Sequence, residues 1–282
     1  MDRWKSVVPT TNVIFFHGDR VDTATNPLVA RLSDIRSIAD LLVSKFGSAI
    51  NAWVIEASTF NGPFAIYRDF VPSVNRFGEP KFYKAPGYPA STSLVSLLRN
   101  CVRQVGFGEL ALTSSVRPKT VIVGFSKGGT VINQLVTEVA FSENSSESCR
   151  EGQLWPESRE ELLNSINEVH YVDVGLNAPN AYITEQKVID EIAKKCVRSQ
   201  NGMRFVIHGT PRQWRDPRRQ LIRREKDKLV TLLESASRTC NGYLKVYERF
   251  YFADSLPDLQ MHLQVYERFY FADSLPDLQM HL

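Results

Sequence analysis

No stretch of this chain approaches the run of about 20 apolar residues that a helix needs to cross a bilayer, so no membrane span is expected. Cysteine is scarce. Cys101, Cys149, Cys196 and Cys240 lie far apart, form no C-x-x-C and have no histidine at ligand spacing, which speaks against a disulfide framework and against a metal site. A reducing compartment fits that usage. Charge of one sign is lacking too: 34 Lys and Arg against 31 Asp and Glu leave a net charge of +3, too mild for a nucleic-acid partner. The local basic run from Arg212 to Lys228 contains acids as well and reads as a solvated helix face. Nor does the opening Met1-Asp2-Arg3-Trp4-Lys5 hold a signal core or an Arg/Ser-rich amphipathic leader, so the chain as written carries no address and reads as cytoplasmic. What remains, 43% hydrophobic and 23% charged over 282 residues, is the composition of an ordinary globular protein with a large core.

The chain is organised around residues 120–130, TVIVGFSKGGT, in which a short apolar strand runs into G-x-S-x-G and then into a helical pattern. After the motif, Val131, Ile132, Leu135, Val136 and Val139 recur on one helical face. This is the context of a nucleophile elbow. A serine thrown out on a tight strand-to-helix turn leaves no room for side chains two residues before or after it, and Gly124 and Gly128 meet that need. The turn also places the backbone N–H of Lys127 at a helix start, where unpaired donors favour a negative oxygen. The side chain of Lys127 is expected to be solvated.

Upstream, residues 12–16 (NVIFF) form a continuous apolar run suited to a strand buried on both faces, and it ends in His17-Gly18-Asp19. The loop after such a strand supplies the second oxyanion N–H, so Gly18 and Asp19 are candidates, whereas His17 reads as structural. A helix is expected over Leu28 to Phe46 and a strand over Ala52 to Ala57. From Ser58 to Pro89 the chain is rich in Phe, Tyr, Gly and Pro without a sustained period, an irregular excursion of the kind that covers a site or is pinned down by its own aromatic residues. A helix from Ser91 as N-cap to Val105 follows, and beyond the elbow helix comes a polar loop over Ser142 to Pro156. The remaining pattern is a short helix over Glu160 to Asn167, a strand over Val169 to Gly175, a helix over Tyr182 to Val197, a strand over Met203 to Gly209, a basic helix over Gln220 to Ser237 and a last strand over Tyr243 to Phe252. About six strands alternating with helices describe a mostly parallel sheet with helices on both faces.

A serine that attacks needs a base to take its proton and an acid to orient that base, in the chain order Ser, acid, His for this type of sheet. Of the five histidines, His17 precedes the serine, and His170 and His208 fall inside strands. His262 remains, with His281 as its copy. The copy exists because Val246 to Leu263 recurs letter for letter as Val265 to Leu282, too short for a repeat architecture, and one copy is expected to be surplus. His262 is therefore the candidate base. Two acids compete: Asp216, after the penultimate strand but seven residues past Gly209, and Asp173, directly at the end of the strand that follows the elbow unit. Asp216 takes the more usual place and is put first, with Asp173 kept open.

The segments NVIFFHGD, GFSKGG, HYVDVG, HGTPRQWRDP and PDLQMHLQVYERF resemble the α/β-hydrolase superfamily. More closely, they are similar to a little-characterised family whose vertebrate member is named for an open reading frame on chromosome 2. The resemblance implies an α/β-hydrolase-like fold reduced at the N-terminus, mitochondrial residence, and hydrolase-like positions at Ser126, Asp216, Asp173 and His262. It also makes Tyr270 to Leu282 a departure, so that one domain over 1–269 with a duplicated tail over 270–282 is expected. The expected function is that of a serine hydrolase of the esterase, lipase or thioesterase kind, acting on a small acyl substrate without cofactor or metal. The alternative is a catalytically silent scaffold of the same shape that binds a protein partner.

Overall fold

The computed structural model describes residues 8–20, 35–105, 117–143 and 154–250. The apolar run at residues 12–16 lies in strand β1 (Thr11–Phe16), whose side chains alternate between the two faces of a sheet, as the period of two dictates. Val13 and Phe15 point to one core and Ile14 and Phe16 to the other, and all four are fully buried. The further elements are helix α1 (Ile35–Phe46), β2 (Ile50–Ile55), β3 (Thr59–Asn61), β4 (Phe64–Ile66), α2 (Pro89–Val105), β5 (Lys119–Phe125), a 3₁₀ turn (Ser126–Gly128) and α3 (Gly129–Phe141). They are followed by α4 (Arg159–Ser165), β6 (Ile166–Val172), α5 (Gln186–Ser199), β7 (Met203–Gly209), α6 (Pro211–Trp214), α7 (Gln220–Thr239) and β8 (Leu244–Phe250).

Six strands form one sheet in the order β2-β1-β5-β6-β7-β8, every neighbouring pair parallel. Helix α1 covers one face, packing Ile38, Leu41 and Leu42 onto Val13, Phe15, Val121, Val123 and Val172. On the opposite face α2, α3, α4, α5 and α7 enclose a larger core with Ile14, Phe16, Ile122, Val169, Tyr171, Phe205 and Ile207. The expected parallel α/β sheet with helices on both faces is therefore present. The chain runs outward from β1 to β2, then returns to lay β5 on the other side of β1. At such a reversal the loops leaving the two strands diverge and open a crevice at the carboxyl edge. Here those loops are Gly18–Asp19, after β1, and Ser126, after β5. Among the described residues, no helix is long and apolar enough to cross a membrane.

Several boundaries differ from the sequence-based expectation. Helix α2 starts at Pro89, with Ser91 inside it instead of at its N-cap. Its first N–H groups are satisfied from another helix: the Glu138 carboxylate of α3 accepts from Ala90 N and Ser91 N at 2.9 Å each and from Ser91 Oγ at 2.5 Å. A local capping rule has no access to an acid 47 residues away. The excursion after Ser58 contains the β3–β4 hairpin and is pinned at its centre by Tyr67, whose hydroxyl donates to the carbonyls of His17 (2.8 Å) and Ile55 (3.1 Å). Phe16, Tyr67 and Phe70 meet edge to face around it.

Candidate active site at the carboxyl edge of the sheet

Strand β5 ends at Phe125, and Ser126 takes a left-handed backbone conformation, φ 49°, that a side-chain-bearing residue adopts only under constraint. The constraint is contact on both sides of the turn. A Cβ on Gly128 would lie 2.2 Å from the Phe16 carbonyl oxygen, and one on Gly124 would lie 2.4 Å from Ile132 Cγ1 and 2.9 Å from the Gly128 backbone. Both glycines are thus required by close approach, as the motif implied. The loop after β1 closes in from the front, since a Cβ on Gly18 would lie 2.8 Å from the Cβ of Ser126. Two backbone segments, Gly18–Asp19 and the start of the turn at Lys127, therefore bracket the serine.

The side chain of Lys127 is not solvated; it is 2% exposed. Its ammonium donates to the Phe77 carbonyl at 3.0 Å, lies 3.8 Å from Asp19 Oδ2 and stands over the Phe64 ring at 5.3 Å. Asp19 in turn accepts from Ala65 N at 2.8 Å. The lysine is held because the excursion folds its aromatic residues and carbonyls over the elbow, which local sequence at the helix start cannot reveal. His17 is buried, donates from Nδ1 to the Gly18 carbonyl at 3.2 Å and sits edge-on to Phe15 and Phe125. It is built into the end of β1 and the loop that follows.

The two candidate acids occupy different surroundings. Strands β5 and β6 pair Phe125 with Val172, so Ser126 and Asp173 are the next residues off neighbouring strands. Asp173 is fully buried, with φ 46°, and its Oδ1 accepts from Thr210 N (3.0 Å) and Thr210 Oγ1 (2.9 Å). Gly129, at the start of α3, packs so closely on Val174 that a Cβ would lie 2.4 Å from Val174 Cγ2, which locks the Asp173 turn against the elbow helix. Asp216 instead caps the turn at Pro217–Arg219 and is gripped by Arg218 through its backbone N–H (2.9 Å), Nε (3.1 Å) and terminal nitrogen (2.8 Å). Those Arg218 bonds hold its carboxyl below the usual range. His262 and His281, like the whole repeat beyond Phe250, lie outside the described residues.

A buried polar row on β6 and β7 had no recognisable signal in the sequence. His170 Nε2 donates to Glu168 Oε1 at 2.6 Å, and Glu168 also pairs with Arg204. His170 Nδ1 and His208 Nε2 lie 3.1 Å apart, the two rings being stacked at 16°. Burial pushes Glu168 up, but the His170 and Arg204 bonds outweigh it and hold the carboxyl at about 2. Burial, followed by the charges of His170, Arg249 and Lys45, drives His208 well below the ordinary imidazole range. Both histidines stay inside strands, as expected, and the pair faces the α1 side of the sheet, with Phe46 edge-on to His170.

Comparison with known proteins gives a family model, described as C2orf69, that matches residues 107–238. This segment contains Ser126, Asp173 and Asp216. The mitochondrial protein C2orf69 homolog of Danio rerio is 27% identical over 268 residues, covering 89% of this chain and 71% of that protein. The corresponding Mus musculus protein is 25% identical over 274 residues, covering 81% and 68%. Among solved structures, the siderophore hydrolase EstB from Aspergillus nidulans aligns with 97% of this chain and 87% of its own at 12% identity, TM-score 0.48. EstA from the same organism covers 94% and 83% at 12% identity, TM-score 0.47. The names of the sequence relatives give no support to a cytoplasmic protein. The chain is thus similar to the C2orf69 proteins across the elbow, both candidate acids and most of the later helices.

Proposed function

We propose that this protein is a serine hydrolase that cleaves an acyl ester or thioester. The observation that carries the reading is Ser126 itself, held at φ 49° between two glycines that admit no side chain, with the Gly18 backbone against it. Such strain persists only where the surrounding structure imposes it, and it clusters at reactive positions. In this reading Ser126 Oγ attacks the acyl carbonyl while His262 takes its proton. The negative oxygen that forms is received by the N–H groups of Lys127 and the Gly18–Asp19 loop. The bond to the leaving oxygen or sulfur then breaks as His262 returns the proton, and water releases the acyl group by the same route in reverse. Asp173 orients the histidine, because it leaves the sheet beside Ser126 whereas the Asp216 carboxylate is engaged by Arg218. Asp216 remains the second acid to test. Mitochondrial residence is part of this reading, supported by the names of the relatives, and is checked by imaging the tagged full chain.

The test is labelling of the folded protein by a fluorophosphonate. Wild type is expected to label, Ser126→Ala not at all, and Asp173→Asn at a rate lowered by roughly 10⁴, the cost of losing the acid that holds the histidine tautomer. Asp216→Asn is expected to label normally. A version ending at Phe269 that still labels assigns the base to His262 over His281. A folded wild-type protein that never labels discards the hydrolase reading in favour of the silent scaffold.

A further inference from the structure

At the opposite edge of the sheet from Ser126, where β5, β6 and β7 begin, lies a cavity of about 610 Å³. Its walls include Lys119, Ile166 and Met203, at the starts of those three strands, and the second half of α5. That volume is in the range of small-molecule sites. Part of the wall is apolar, formed by Val139, Leu163, Ile192 and Met203. The charges are of one sign: Arg117, Lys119, Lys195 and Arg198 against Glu161 alone. Glu161 is already used in a helix cap, accepting from Glu157 N at 2.8 Å and Ser158 N at 3.3 Å.

Two polar groups in the wall are poorly served by the protein. Lys195 is 8% exposed; among the described residues its ammonium donates to the hydroxyl of Ser142, with the Cys196 thiol and the repelling Arg198 as neighbours. Asn12 is 1% exposed; its Oδ1 accepts from Asn51 Nδ2 (3.0 Å) and Trp53 Nε1 (3.3 Å), which fixes the amide orientation and leaves Nδ2 buried without a hydrogen-bond partner. Among the described residues the cation has no counter-charge and the donor no acceptor, and each carries a desolvation cost that an anion in the cavity relieves.

We propose that this cavity is a second binding site, for an organic anion with an apolar tail, whose head is held by Lys195 with Lys119 and Arg198 at the rim. The tail lies along the apolar wall, and the serine edge takes no part. The proposal is independent of whether Ser126 is a nucleophile.

Dodecanoate, dodecanol and inorganic phosphate are the probes, as tail with head, tail alone and head alone. Binding is read by displacement of 8-anilinonaphthalene-1-sulfonate and by the rise in melting temperature of the full chain. Dodecanoate is expected to displace the dye and raise the melting temperature, while dodecanol and phosphate each bind at least tenfold more weakly. The charge reversals Lys119→Glu with Arg198→Glu, both on exposed side chains and so compatible with folding, are expected to weaken dodecanoate at least tenfold, as is Lys195→Met. Ser126→Ala is expected to bind as wild type. Absence of dodecanoate binding to the folded protein, equal binding by the reversed variant, equal binding of phosphate alone, or loss of binding in Ser126→Ala would each overturn the proposal.

Discussion

The two elbow glycines look alike in the motif but meet different neighbours. An added methyl at Gly128 lies 2.2 Å from the Phe16 carbonyl oxygen, part of the central sheet, whereas at Gly124 it meets a side-chain atom first, Ile132 Cγ1 at 2.4 Å, and backbone, that of Gly128, only at 2.9 Å. Gly128→Ala is therefore expected to cost more than Gly124→Ala, beyond the about 1–3 kcal/mol typical of overpacking, as measured by denaturant unfolding. Gly18→Ala intrudes on Ser126 itself and is expected to suppress fluorophosphonate labelling by more than its effect on stability. For Lys127, buried between Asp19, Phe77 and Phe64, replacement by Met preserves volume but removes the donor to Phe77 and the charge beside Asp19. A loss of about 1–3 kcal/mol is expected, with slower labelling if the Gly18–Asp19 loop loosens.

At the scale of elements, strands β6 and β7 are joined by side chains as well as by their ladder. Glu168 accepts from His170 and pairs with Arg204 across the strands, and its carboxyl sits at about 2 against an ordinary 4.5. A carboxyl lowered on folding stabilises the protein above its unfolded value, and that contribution is lost as pH falls from about 4.5 to about 2. Acid unfolding of Glu168→Gln is expected to be flatter than that of wild type across that window. Tyr67 ties two other elements, bonding the ends of β1 and β2 to the excursion. Tyr67→Phe keeps the ring contacts and loses only those bonds, so a cost of about 1–3 kcal/mol in urea unfolding is expected.

Taken as a whole molecule, the protein has two poles. The carboxyl edge carries the strained serine at the reversal of strand order, and the amino edge carries the basic cavity. Burial lowers Lys195 from 10.5 to about 8, so between these values the unfolded chain binds more protons than the folded one. Stability is therefore expected to rise with pH from about 8 to about 10.5, and Lys195→Met to remove that rise when melting temperature is followed against pH. An anion bound beside the amine would hold its proton and move the rise to higher pH.

The sequence by itself determined the six strands of the main sheet, its longer helices and the elbow, because these rest on short-range physics. Continuous apolar runs demand burial on both faces, a period of 3.6 marks a helix, and glycines two residues either side of a serine mark a turn too tight for side chains. The candidate serine, its glycines and the Gly18–Asp19 loop were legible for that reason. Only the tertiary structure decided which distant groups meet. It buried Lys127 under an aromatic excursion whose sequence has no period, supplied the first turn of α2 with Glu138 in place of a local cap, and stacked His170 on His208 across two strands. It also set Asp173 beside Ser126 while Arg218 took hold of Asp216, although both acids follow strands and look equally suited in the linear chain. Contacts of this kind depend on strand order and register, and no local pattern along the chain encodes them.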